Sequence, residues 1–460
     1  MAQAEKPLHY LTIHEAQQLI QHRDLSPVDL TRAVLERINA VDGKLHAYIN
    51  LMADKALEAA KQAETEIAHG NRRGPMHGIP VAVKDQLDVE GAPAQIRQHT
   101  KGVGDATAVR KLREAGAILM GKLAMSSMPS EPPQPRNPWN TEHITGGSST
   151  GSGAAVSGGL CLGSLGEDTA GSIRNPSAFC GIVGLKGTYG RVSRHGLAPL
   201  SWSLDHCGPM ARAVEDVAHM LQAIAGNDPN DPTSSSVAVG DYSSGLRDDV
   251  KGLRIGVPRD YIEECGPRTH PIVLKLVDAA TEKLKSLGAR VEDVRVPTLN
   301  YATIANAVIY YNEYWAAHKS DAASVLQNGA AQRRARIYLG LLTNSADYIQ
   351  AQRIRSRVRA EFSDMFQRVD CLALPCQAGP APLVKDVGPI DTLFKHVVPE
   401  YHGPFNLTGL PTLSVPCGFS EDRLPIALQL VGKPFDEATI LRVGYTYQQN
   451  TDWHNQRPPI

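Results

Sequence analysis

The chain reads as an α/β protein. Amphipathic helical stretches alternate with short strand-like runs along all 460 residues, 42% of those residues are hydrophobic, and no repeat or low-complexity linker divides them. One large domain is therefore expected rather than several. Thr12 and Glu15 form a capping box ahead of an apolar-periodic stretch, and Ser26-Pro27 sets an N-cap before a proline at the first position of a second helix. A third helix, from Ala53 to Ala68, stops at Gly70. "HGIPVAVKDQLDV" then turns strand-like, with Ile79, Val81 and Val83 alternating up to Lys84. "GAILMGKL", "LRIGVP", "ARVEDVRVP", "DCLALP", "PTLSVPCGF" and "PIALQLVG" are further strands, with helical patterns such as Val273 to Leu287 between them.

Charge and cysteine usage exclude several classes of function. Lys and Arg number 47 against 48 acidic residues, so no basic excess is available to track a phosphate backbone, and no nucleic-acid partner is expected. No run of about 18 apolar residues is present to cross a bilayer, and "MAQAEKPLHY" lacks a signal pattern. The expectation is a cytoplasmic protein with no membrane partner. Seven cysteines without C-x-x-C spacing read as reduced, buried thiols. His14-Glu15 opens an H-E-x-x-H pattern that Gln18 fails to close, so neither metal nor cofactor is expected.

Two motifs tempt and fail. "GAILMGKL" nearly matches a phosphate-binding loop, but Leu123 stands where Ser or Thr would reach magnesium. Gly147-Ser148-Ser149-Thr150-Gly151 matches G-x-S-x-G, yet the polar, proline-containing "NPWNTEHIT" before it is not the buried strand a nucleophile elbow on Ser149 requires. Three pieces together do better: Lys84 after an apolar strand, Ser148 in a Gly-Gly-Ser-Ser turn, and Ser172 after Thr169-Ala170-Gly171. Glycines and hydroxyls crowd the stretch from Gly146 to Pro176, a composition that brings main-chain N–H groups close to a ligand.

With their flanks, these pieces resemble the amidase signature family. The match is carried by "GIPVAVKD" (78–85), "NPWN" (137–140), "GGSSTGS" (146–152), "DTAGSIRNPSAFCGIVGLKGTYGRVSRHG" (168–196), "SLDHCGPMARAVEDVA" (203–218) and "GPFNLTGLPTLSVPCGF" (403–419). The two serines lie 24 positions apart (172 minus 148), as the family pattern requires. The resemblance implies a single domain around a central mixed, largely parallel sheet flanked by helices. Its N-terminal helices would fill 1–70, the signature core 78–220, a helical and aromatic lobe about 233–367, and the C-terminal part of the core 368–460. It implies Ser172 as acylated nucleophile, Ser148 as a relay preceded by a cis peptide, and Lys84 as base.

Those residue types suit the chemistry. Serine attacks a carbonyl only if something takes its proton, and lysine does so only when neutral, a form that burial favours. Such a base predicts a rate rising toward mildly alkaline pH. Backbone N–H groups of Thr169, Ala170, Gly171 and Ser172 are the expected oxyanion donors, with Ser149, Asp168 and Arg174 in support. Ala170 stands where a second glycine is usual, Gln86 follows the base in place of Asn, "GAPAQIRQHT" replaces a small-residue turn, and Gly187 replaces a common proline. These departures bear on pocket shape.

For substrate, the resemblance points to amides. The aryl acylamidase and urethanase branch, with aryl amides and carbamates, is suggested by apolar walls from Met125, Trp202 and Phe405, the segment Met128 to Pro138, and Tyr310, Tyr311, Tyr314 and Trp315. The expected partner is a small-molecule substrate, with the protein a monomer or homodimer. One alternative is a glutaminase component of a tRNA-dependent amidotransferase, which needs partner chains and a cation that the sequence does not single out. Another is a catalytically silent binding or assembly protein, disfavoured by retention of Lys84, Ser148 and Ser172.

Overall fold

The computed structural model describes residues 6–92, 104–125, 134–246, 249–388, 398 and 400–460. Its strands are β1 (Tyr48–Leu51), β2 (Pro80–Lys84), β3 (Ile118–Leu123), β4 (Gly163–Asp168), β5 (Val183–Lys186), β6 (His206–Ala211), β7 (Arg254–Val257), β8 (Arg290–Asp293), β9 (Cys371–Pro375), β10 (Thr412–Phe419) and β11 (Pro425–Gly432). They form one 11-stranded sheet in the order β1-β3-β2-β4-β6-β5-β10-β11-β9-β7-β8. The sheet is mixed, but parallel pairing is confined to two runs, β3-β2-β4 and β9-β7-β8. The pairings between and outside them are antiparallel. "Largely parallel" therefore overstates it: β10 and β11 are joined by a short turn, and a connection that short permits only antiparallel pairing.

The sheet separates two apolar cores. Along β9, Cys371 and Ala373 join the first core while Leu372 and Leu374 join the second, the alternation that a period of two dictates. The helices Ile13–His22, Pro27–Leu45 and Pro271–Ser286 bury residues in the first core, and Ala302–His318 and Ser345–Met365 in the second. The first two helices start as the sequence predicts. Thr12 Oγ1 accepts from Glu15 N while Glu15 reaches back to Thr12 N, and Ser26 Oγ accepts from Val28 N at 2.9 Å.

The stretch 233–367 is not one helical lobe. β7, β8 and Pro271–Ser286 extend the sheet, because the apolar run of β7 finds parallel partners in β8 and β9. Only the part from Ala302 to Met365 forms a helical layer. β1, β4, β5 and β6 escape sequence reading. β4, "GSLGED", holds two glycines and no β-branched residue, and its pairing with β2 and β6 makes it a strand. No helix among the described residues is long and apolar enough to cross a membrane.

Candidate active site

Two neighbouring parallel strands place the charged groups. β2 ends at Lys84 and β4 ends at Glu167 and Asp168, with Val83 in register with Leu165. The Lys84 side chain is fully buried, and its Nζ donates to Ser148 Oγ at 2.9 Å, to Glu167 Oε2 at 2.9 Å and to the Glu167 carbonyl at 3.3 Å. Lys84 and Ser148 thus meet, and the Gly147–Ser148 peptide is cis. Ser149 is buried ahead of the helix Thr150–Gly158, and its Oγ donates to the Glu167 carbonyl at 3.2 Å. A buried hydroxyl spent on backbone is a support, not a nucleophile.

Ser172 sits on the turn between β4 and the helix Arg174–Cys180. It is half-buried, and its Oγ makes no hydrogen bond to another described residue; the Ser172 carbonyl accepts from Ser149 N at 3.2 Å, which ties the two serine turns together. Gly171 has φ +104, and a Cβ there would lie 2.6 Å from the His402 ring, so the turn accepts only glycine at this position. The expected oxyanion set needs one correction. Gly171 N–H donates to Asp168 Oδ1 at 2.7 Å, because the short turn folds back over that carboxylate. Among the described residues, no hydrogen bond is seen from the N–H groups of Thr169, Ala170 and Ser172.

Asp168 and Arg174 pair with each other. Arg174 Nε lies 3.0 Å from Asp168 Oδ2 and Nη2 3.0 Å from Oδ1, both side chains fully buried. Arg174 also binds the His402 carbonyl at 3.2 Å, Gln429 Oε1 at 3.1 Å and Asn406 Oδ1. Burial opposes the charge on Asp168, but the Arg174 guanidinium outweighs it and holds the carboxyl well below the usual range.

Sequence reading missed Glu167. Its signal was a carboxylate inside an otherwise nearly uncharged glycine-rich stretch, one residue before an acid already assigned a role. Glu167 Oε1 accepts from the Thr169 hydroxyl, which also lies 2.8 Å from Asp205 Oδ1. Burial, with the Glu167 carboxylate beside it, pushes Asp205 up to about 7.

The expected aromatic walls fare poorly. Phe405 is 0% exposed and packs in the second core, 6.1 Å from the Phe362 ring, so it is structural. Tyr310, Tyr311 and Tyr314 are buried in the same core, with Trp315 packed against it. Trp202 is 58% exposed, and the Arg194 guanidinium stands 5.1 Å over its ring. Met125 is half-buried. Residues 126–133 of the proline-rich segment and 93–100 after the base lie outside the described residues. Gln86 Nε2 donates to the Ala198 carbonyl at 2.6 Å, giving that departure a structural use. A cleft of about 610 Å³ is lined in part by Asn175 and by His402, whose ring lies beside Gly171, and Asn175 Oδ1 accepts from Gly147 N at 3.1 Å.

The family model described as Amidase matches residues 29–441. A glutamyl-tRNA(Gln) amidotransferase component of Moorella thermoacetica is 40% identical, covering 98% of this chain and 99% of that one. A solved vestigial protein complex, said to reveal the evolutionary origins of an s-triazine catabolic enzyme, superposes with a TM-score of 0.88 at 32% identity over 96% of this chain and 98% of that one. The native peptide amidase of Stenotrophomonas maltophilia gives a TM-score of 0.84 at 29% identity, with 99% of each chain covered. This protein belongs to the amidase signature family of C–N hydrolases.

Proposed function

We propose that the protein cleaves the C–N bond of a primary carboxamide through a Ser172 acyl-enzyme, with glutamine as the first substrate to test. One observation carries the chemistry: Lys84 Nζ lies 2.9 Å from Ser148 Oγ, on a turn bonded to the Ser172 backbone. Ser172 Oγ attacks the amide carbon as its proton passes to Ser148 and the Ser148 proton to Lys84. The oxyanion takes the N–H groups of Thr169, Ala170 and Ser172. Collapse returns a proton through Ser148 to the leaving nitrogen, and water then releases the acid by the same route.

The substrate class is supported by similarity to an amidotransferase component over 98% of the chain, and by burial of the aromatics that had suggested an aryl pocket. Aryl amides and carbamates form the second reading, favoured by the exposed Trp202 indole.

The test compares kcat/KM for glutamine and acetamide with that for 4-nitroacetanilide and an O-alkyl N-aryl carbamate. Preference for glutamine supports the first reading; preference for the aryl substrates replaces it with the second. Mass spectrometry after fluorophosphonate treatment separates enzyme from silent scaffold, an adduct on Ser172 marking the enzyme.

A further inference from the structure

Glu167 has no part in the mechanism above, yet it is bound to the base. Lys84 is arranged as a donor three times over, to Ser148 Oγ, Glu167 Oε2 and the Glu167 carbonyl, which accounts for the three hydrogens of an ammonium group. A nitrogen donating to Ser148 is not yet able to accept from it. Before it can, one hydrogen has to leave, and the basic oxygen in reach is Glu167 Oε2 at 2.9 Å.

The far side of Glu167 is built to tolerate that hydrogen. Thr169 has one hydroxyl hydrogen and two carboxyl neighbours, Glu167 Oε1 and Asp205 Oδ1, so it donates to one of them only. Burial and the neighbouring Glu167 push Asp205 up to about 7, so below that pH it carries a hydrogen that it can give to the Thr169 oxygen, leaving the Thr169 hydroxyl to donate to Glu167. The other titratable groups around Glu167 are Cys207, pushed up to about 12 by burial, and Tyr310, held above the ordinary phenol range by burial; Arg194 acts on Asp205 from outside. None of these supplies a charge that would replace Lys84.

We infer that Glu167 is a positioning residue for the base: it takes a proton from Lys84 within the site, so that Lys84 accepts from Ser148 without first losing a proton to water. In the first step a Lys84 N–H bond breaks and a Glu167 O–H bond forms, leaving the pair uncharged, and rotation about the Lys84 Cε–Nζ bond turns the lone pair toward Ser148. In the second, Ser172 gives its proton to Ser148 and Ser148 gives its own to Lys84, while the Ser172 oxygen bonds the carbonyl carbon and the carbonyl electron pair becomes the oxyanion. The positive charge on Lys84 then balances that oxyanion, and the proton leaves with the amine when the C–N bond breaks. The ascending limb of the pH profile accordingly lies lower with the Glu167 carboxylate in place than without it.

This rests on the reading of Ser172 as nucleophile, and the test separates the two. The rate of Ser172 labelling by a fluorophosphonate, followed by mass spectrometry from pH 5 to 10, needs no knowledge of the substrate. The wild type is expected to label with an ascending limb that serves as the reference. Glu167→Gln should move that limb to higher pH by at least one unit and slow labelling at pH 6 at least tenfold. An unmoved limb, or faster labelling at pH 6, overturns the inference. Should Glu167→Gln lack the wild-type circular dichroism, Thr169→Val serves in its place, with the limb again expected to move upward and an unmoved limb overturning the inference. Absence of any adduct on wild-type Ser172, with Ser172→Ala as the blank, overturns the nucleophile reading itself and this inference with it.

Discussion

Glu167 and Asp168 are neighbours at the end of β4, and each holds a buried cation, yet the two pairs are built differently. Arg174 spends its guanidinium on Asp168, Asn406, Gln429 and the His402 carbonyl, all of them protein. Lys84 spends two contacts on Glu167 and directs the third to Ser148, the hydroxyl that serves the nucleophile. A buried pair whose donors all end on carboxylate, amide and carbonyl oxygens meets no acceptor with a proton to pass on; one with a donor on a hydroxyl does. The difference lies in where the last hydrogen points, since burial is complete for both cations.

The largest effect that tests this contrast is on rate. Ser172→Ala removes what the Lys84 pair serves and nothing the Arg174 pair holds, so kcat should fall by about 10⁴-fold or more with unchanged Tm. A matching loss of Tm would break the contrast. Arg174→Met should do the opposite first, leaving Asp168 buried and unpaired at a cost of about 3–5 kcal/mol in denaturant unfolding. Phe405→Ala should cost about 3–5 kcal/mol as well, with the ranking of substrates by kcat/KM unaltered, since its ring lies in the core.

The two acids also predict opposite slopes of stability with pH. Asp168 is depressed, so its contribution is present above the unfolded carboxylate value of about 3.9 and is lost as pH falls toward the folded one. Asp205 is raised, so its contribution is complete below about 3.9 and is lost as pH rises through its folded value of about 7. Asp205→Asn should therefore flatten the loss of Tm between pH 4 and 7, while the acid limb below remains. The smallest effect belongs to Trp202→Ala. Stability should move by no more than about 0.5 kcal/mol, and a rise in KM for the aryl substrates alone would return weight to the second reading.

Much of this was legible in the residues. Capping residues announce themselves locally, so the starts of the first two helices and the strand carrying Lys84 stand where periodicity puts them. Lys84, Ser148 and Ser172 were singled out through ordered motifs, and the structure brings the first two together. β4 was not, since a glycine-rich strand is made by its neighbours rather than by its own propensity, and the role of Glu167 went unseen with it. Phe405 and the lobe tyrosines were misread for a related reason. An aromatic side chain carries the same letter in a core as in a pocket, and only the packing of Ala302–His318 against Ser345–Met365 decides which it becomes.

The anchors of Arg174 lie far along the chain, at His402, Asn406 and Gln429. A polypeptide made from its N-terminus carries Lys84, Ser148 and Ser172 long before those anchors exist. Through much of translation the nascent chain therefore holds every reacting side chain and no working turn to present them. A chain arrested before His402 is expected to show no fluorophosphonate adduct on Ser172. Reactivity is expected to begin only when the segment from His402 onward has folded against Arg174.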